Sequence, residues 1–316
     1  MVMRYATVCS GIGAPEVAWQ GLGWDLRWQS EIDRFPSAVL AHHWPDVPNL
    51  GDMTKATTHE RFEPVDLLIG GTPCQSFSIA GKRLGLDDPR GGLALAYLRL
   101  ARDCGARWVV FENVPGLLSS DGGRDMGAFV GLLGELGYGC AWRVLDAVHF
   151  GVPQSRRRVF IVGCAGGDWR RAAAVLFEPE SLRGNRAPGR DKREDTAPCV
   201  DASIDRKWGS NQWVDAGQWV VAGPSARTLL AESGQRNNAA TSNFALSAGR
   251  EMVRRFTPRE CERLQGFPDD HTRIPYRNKP ADKCPDGPRY KAIGNSMAVP
   301  VLAHLGQRIA KEYARP

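Results

Sequence analysis

The amino-acid sequence predicts an α/β fold, a parallel sheet with helices on both faces, joined to a smaller irregular domain. Three observations carry this expectation. Over residues 1–165 of 316, short apolar runs alternate with amphipathic stretches, the pattern of strands and helices following one another. The run "VDLLIGG" (65–71) is apolar on both faces, as a strand covered from both sides must be. From 166 to about 250 the periodicity fades into text rich in Gly, Pro, Arg, Asn and Ser, with Trp208, Trp213 and Trp219. Such text reads as short strands and irregular structure.

"YATVCS" reads as a strand, and "APEVAWQGLG" as a helix stopped by glycine. "LRWQSEID" is a second strand, and "FPSAVLAHHW" a helix ended by Pro45. After "VDLLIGG" comes the helix "LALAYLRLARDCG", closed by Gly105, then the strand "RWVVFENV". "MGAFVGLLGELGY" is a helix, while "AWRVLDAVHFGVPQ" and "RRRVFIVGC" read as strands. Order returns at "TPRECERLQGF", where Thr257 suits an N-cap, Pro258 the first helical position and Glu260 the third. "AVPVLAHLGQRIAKEYA" closes the chain as an amphipathic helix.

Composition bounds the function. Apolar residues make up 42% and charged residues 24%, as in a soluble globular protein. No apolar run approaches the ~20 residues of a membrane span, and the start has no signal-peptide pattern, so a cytoplasmic protein without a membrane partner is expected. The eight cysteines form no C-x-x-C pair, which argues against a metal site and a disulfide framework. Charge is uneven: residues 1–165 carry 16 basic against 17 acidic side chains, and residues 166–316 carry 25 against 18. A basic half beside a neutral one fits a polyanionic partner.

The chemistry gathers at strand ends. In "CSGIGAPE", Gly11 and Gly13 permit a tight turn before a helix, although Glu16 breaks the G-x-G-x-x-G pattern. Glu31 follows twenty residues later at the end of the second strand, where a ribose ligand sits in such folds. Asp52 ends a third segment. In "GGTPCQSFSIAG", Pro73 stiffens the approach to Cys74 at the end of the next strand. The following glycine-rich stretch, with Lys82 and Arg83, suits a cationic lid. Glu112 ends the neighbouring strand, so Cys74 and Glu112 form a nucleophile and acid pair. In "QSRRRVF", alternation turns Gln154, Arg156 and Arg158 to one face and Arg157 to the other. Same-facing arginines can hold a planar or phosphate-bearing ligand.

In order and spacing, "CSGIGA", "GTPCQSFS", "FENVPG", "FGVPQSRRRVFIVG", "RRFTPRECERLQGFPDD" and "KAIGNSMAVPV" resemble the motifs of the DNA cytosine C5-methyltransferases. The resemblance covers most of residues 5–165 and 254–302 and leaves out 166–250, the stretch that in this family reads the target sequence. It implies a Rossmann-like sheet dependent on S-adenosylmethionine, with a catalytic domain at 1–165, a target-recognition domain at 166–288 and a completing segment at 289–316. It implies Cys74 as the nucleophile that adds to C6 of cytosine. Glu112 would then contact N3 and the exocyclic amine, Arg158 the O2 side, and Arg156 the adduct and a nearby phosphate. It further implies Glu31 at the ribose, Asp52 at the adenine amine, and Gly11, Ile12 and Gly13 along the methionine side. Asn295 and Ser296 would close the pocket, with Cys9, Ile32, Met53 and Pro73 also in contact with the cofactor. Cys9 stands where the family carries an aromatic residue.

The same resemblance implies duplex DNA as partner, a flipped target base, and DNA contacts from Gln75, Ser78, Lys82 and Arg83. In the variable region, Arg170, Arg171, Arg183, Arg186, Arg190, Lys192 and Arg193 could track phosphates. Gln235, Arg236 and Asn237 are types that pair with base edges. A monomer is expected, within a restriction-modification setting. The rivals are methylation of transfer RNA, as one branch of the family performs, and a catalytically idle DNA-binding regulator. A nicotinamide enzyme would explain neither Pro73-Cys74 nor "GNS".

Overall fold

The computed structural model describes residues 2–72, 92–178, 226–227, 244–246 and 253–315. Five strands open the main sheet: β1 (Arg4–Val8), β2 (Asp25–Ser30), β3 (Leu67–Gly70), β4 (Trp108–Asn113) and β5 (Tyr138–Asp146). They are joined through α1 (Ala14–Trp19), α2 (Arg34–His43), α3 (Leu93–Asp103) and α4 (Arg124–Glu135). A two-residue strand β6 (Gln154–Ser155) precedes β7 (Arg157–Ala165), and α5 (Trp169–Leu176) follows. Later come the short strands β8 (Ala226–Arg227), β9 (Phe244–Leu246) and β10 (Val253–Arg255), then α6 (Pro258–Gln265), α7 (Asp286–Asn295) and α8 (Val299–Tyr313).

The sheet runs β2-β1-β3-β4-β7-β5. Pairs β1/β2, β1/β3 and β3/β4 are parallel, but β7 is antiparallel to both β4 and β5. The expected all-parallel sheet is therefore corrected to a mixed one. The reason lies in chain length: β5 ends at Asp146 and β7 begins at Arg157. The segment between holds only a 3-10 turn and β6, too little for the helical crossover a parallel return requires. The expected strand over 141–154 accordingly stops at Asp146, and the chain is broken again at Arg156 between β6 and β7.

Alternation along the strands divides the core in two. Tyr5, Leu67, Ile69, Trp108, Val110, Phe160 and Val162 pack to one side, with α1, α5 and α8. Ala6, Val8, Leu68, Val109, Phe111, Val159 and Ile161 pack to the other, with α3 and α4. Successive residues point to opposite faces, and each fully buried Leu, Ile or Phe stabilises by roughly 1.5–3 kcal/mol. Both layers are thus held by the same strands.

Two segments read as irregular or separate pack into this core. Helix α5, capped by Asp168 accepting from the Arg170 amide, buries Ala172, Val175 and Leu176. Cys261, Phe267 and Ile274 join the cluster that holds Tyr5 and Trp19. Both segments thus pack with the sheet. Helix α6 carries the expected capping box, with Thr257 and Glu260 exchanging side-chain and backbone bonds. Among the described residues, no helix is long and apolar enough to cross a membrane, and no cluster could hold a metal ion.

Candidate active site

The carboxyl ends of β1, β3 and β4 open onto a cleft lined by Cys9, Ser10, Gly11, Gly70, Gly71, Glu112 and Asn295–Met297, among others. The turn after β1 shapes one wall. Cys9, Gly11 and Gly13 have φ of 48°, 57° and 80°, left-handed at alternate positions, which turns backbone groups outward. At Gly13 a Cβ would also lie 2.4 Å from the Trp44 ring, so only glycine fits. The Glu31 carboxylate braces the turn by accepting from the Gly11 amide at 2.8 Å, and it accepts from the amides of Ile32 and Asp33 at 2.9 and 2.7 Å. Asp52 caps the 3-10 turn Met53–Thr58, taking the Thr54 amide and hydroxyl at 2.9 and 2.8 Å. Those two hydrogen bonds hold its carboxyl below the usual range.

Cys9 lies between these carboxylates. Its Sγ is 3.8 Å from Met53 Sδ. Burial, with Glu31 and Asp52 adding to it, pushes the thiol up to about 12. It is therefore a neutral, polarisable wall rather than a nucleophile. Ile32 is exposed.

Glu112 forms the opposite wall. Arg158 Nε sits 3.1 Å from Glu112 Oε1, both side chains mostly buried. Gly71 makes room for this carboxylate, since a Cβ there would meet Glu112 O at 2.7 Å and Oε2 at 2.9 Å. Arg156 is buried behind Arg158. Burial, then repulsion from Arg158, pushes its guanidinium down to about 9, which still leaves it charged near neutrality. The expected alternation holds here: Gln154 and Arg156 are buried, and Arg157 is exposed. Asp146 secures the run by accepting from the Arg156 amide at 2.8 Å and from the Ser155 hydroxyl at 2.9 Å.

Of the expected residues, Cys9, Gly11, Glu112, Asn295 and Ser296 line the cleft; Glu31 is bonded to Gly11, Met53 touches Cys9 and Arg158 pairs with Glu112, and Asp52 caps the turn that begins at Met53. Ile12 and Gly13 stand behind the turn instead, with the Ile12 side chain fully buried in the core. Arg171 is no phosphate ligand: its Nη2 bonds the Glu312 carbonyl, and its guanidinium lies over Trp108. Pro73, Cys74, Gln75, Ser78, Lys82, Arg83, Gln235, Arg236 and Asn237 lie outside the described residues. Sequence reading missed Ser10, Met297, Asp146 and the buried acid Glu16. Burial raises the Glu16 carboxyl, and its Oε1 lies 2.7 Å from Thr7 Oγ1 and 2.8 Å from Gln29 Nε2. The break in the glycine pattern at position 16 was its only signal.

A sheet with one antiparallel strand next to its edge, and a cleft over the carboxyl ends of β1, β3 and β4, is the Rossmann-like methyltransferase fold. The S. pombe Dnmt2 methyltransferase structure has this fold: it superposes with a TM-score of 0.66 at 19% identity, over 99% of this chain and 100% of that one. The chain belongs to the C-5 cytosine-specific DNA methylase family, whose model matches residues 3–181 and 204–311. It is 32% identical to the type II methyltransferase M.HpaII of Haemophilus parainfluenzae, across 96% of this chain and 88% of that protein. It is also 35% identical, over 98% of its length, to a protein of Escherichia phage P1 named DNA N-6-adenine-methyltransferase. The chain spans 61% of that relative.

The family's methyl donor is S-adenosylmethionine, and the cleft fits it. Cys9 presents a polarisable sulfur to it, and Ser10 and Gly11, the latter braced by Glu31, present the turn's backbone.

Proposed function

We propose that the chain transfers a methyl group to C5 of a cytosine flipped from duplex DNA. The observation that carries this reading is the Glu112 carboxylate, lining the donor cleft and held by Arg158 at 3.1 Å. C5 of cytosine is a poor nucleophile. In the proposed reaction the Cys74 thiolate bonds to C6, and Glu112 favours protonation at N3, which turns the ring into an enamine. C5 then bonds to the methyl carbon as the methyl–sulfur bond of the donor breaks, releasing the thioether. S-adenosylmethionine supplies an electrophilic methyl on a sulfonium. Loss of the C5 proton to a base expels the Cys74 sulfur and restores the ring. Arg158 orients Glu112 and faces the same side of the base. Arg156, fixed by Asp146, adds positive charge behind it.

The name of the phage P1 relative supports a second reading, methylation of the adenine amine. Mass spectrometry of nucleosides from duplex DNA incubated with the protein and donor separates the two. We expect 5-methylcytosine, absent with Cys74→Ala, and covalent trapping on DNA that carries 5-fluorocytosine at the target. N6-methyladenine alone, activity confined to RNA, or a Cys74→Ala protein that keeps methylating C5 would overturn the proposal.

A further inference from the structure

We infer that His271 is a positioning residue for the methyl-donor turn. Nothing in the sequence singles it out, and it lies outside the cleft. Yet its Nε2 is 2.7 Å from the carbonyl of Ile12, the residue between Gly11 and Gly13. A carbonyl only accepts, so this ring nitrogen carries the proton and donates. The ring is held on both faces. His43 of α2 stacks on it with centroids 4.2 Å apart and planes 2° from parallel, and Phe267 lies 4.8 Å away on a 25° tilt. His43 Nε2 in turn donates to the His271 carbonyl at 2.7 Å. The side chain is 5% exposed.

The consequence concerns the turn. Its Gly11 amide is held by Glu31, and its Ile12 carbonyl by His271. Two bonds, one from the end of β2 and one from the segment after α6, fix the Ser10–Gly11 and Ile12–Gly13 peptide groups. With both flanking glycines at positive φ, the turn has little stiffness of its own. Removing the His271 donor frees the Ile12 peptide to rotate and leaves its buried carbonyl unsatisfied. A looser turn costs donor affinity through lost preorganisation. This inference rests on the family's donor occupying the cleft.

The test compares His271→Phe, which keeps the stacked ring but lacks the donor, with His271→Gln, whose amide nitrogen can reach where Nε2 lies. Affinity for S-adenosylmethionine is read by calorimetry on the full-length protein, beside DNA binding and steady-state kinetics. His271→Phe should weaken donor binding about tenfold, equivalent to about 1.4 kcal/mol. The loss should appear in KM for the donor far more than in kcat, with DNA affinity kept. His271→Gln should recover most of it. Wild-type donor affinity in His271→Phe would overturn the inference, as would a His271→Gln protein no better than His271→Phe. A wild-type protein that binds no donor would instead strike the reading of the cleft. Should the variants fail to fold, nitrogen-15 spectra of wild-type imidazoles decide. We expect the Nε2–H form at His271, its resonance shifted by S-adenosylhomocysteine; an Nδ1–H form, or no shift on binding, would overturn it.

Discussion

Arg158 Nε lies 3.1 Å from Glu112 Oε1 across an antiparallel pair in which Glu112 stands opposite Phe160. Arg158 is two residues from that partner, so the two side chains share a face as diagonal neighbours. Only the reversed direction of β7 brings the arginine run to the end of β4. Replacing Glu112 by Gln removes the charge that N3 protonation draws on, and methyl transfer should fall about 10²–10⁴-fold. Arg158→Ala should lose activity too, and the double variant should lose less than the product of the two, because each acts through the other. Single-turnover assays with labelled donor read this directly.

Gly71→Ala tests the crowding around Glu112. The added methyl would sit 2.7 Å from a backbone oxygen and 2.9 Å from the carboxylate. It should destabilise by about 1–3 kcal/mol and displace Glu112, lowering kcat. Urea melts and kinetics measure the two effects separately. A fully active, fully stable variant would mean the end of β3 can yield.

Glu31 takes three backbone amides at the cleft. Hydrogen bonds to a charged group are worth about 1.5–3 kcal/mol each, so Glu31→Ala should raise the donor Kd about 10–100-fold. Calorimetry with S-adenosylhomocysteine gives the number, and DNA affinity should be nearly constant.

Burial pushes the His271 imidazole down to about 4, while in the unfolded chain it titrates near 6.5. Between those values the unfolded state binds the extra proton. The contribution to stability is therefore complete above pH 6.5 and falls as pH drops, by about 1.4 kcal/mol per pH unit. From pH 7.5 to pH 5 the wild type should lose about 2 kcal/mol more than His271→Phe in urea melts. Equal losses would show that the ring is hydrated.

With its thiol pushed up to about 12, Cys9 should be about one part in ten thousand thiolate at pH 8. Iodoacetamide should therefore label it slowly, and peptide mass spectrometry reads the rate. Rapid labelling would show a more open cleft than the one between Glu31 and Asp52.

Period and punctuation announced much of this protein. Strands β1 to β4 and helices α1 to α4 stand where apolar runs, glycines and Pro45 put them, and the capping box at Thr257 needs only its own four residues. Helix α5 was hidden because its eight residues follow a glycine pair and precede a proline- and arginine-rich stretch. Its helical face is apolar only in relation to the sheet it covers.

Local interactions determine what a sequence states alone: where strands and helices begin, which residues face inward, and which strand ends carry reactive types. The tertiary structure decided the rest. The reversal of β7, the pairing of Glu112 with Arg158, the retreat of Ile12 into the core and the reach of His271 to its carbonyl 259 positions away all depend on partners distant along the chain. No periodicity encodes such contacts, because they exist only once burial of both sheet faces has brought the segments together.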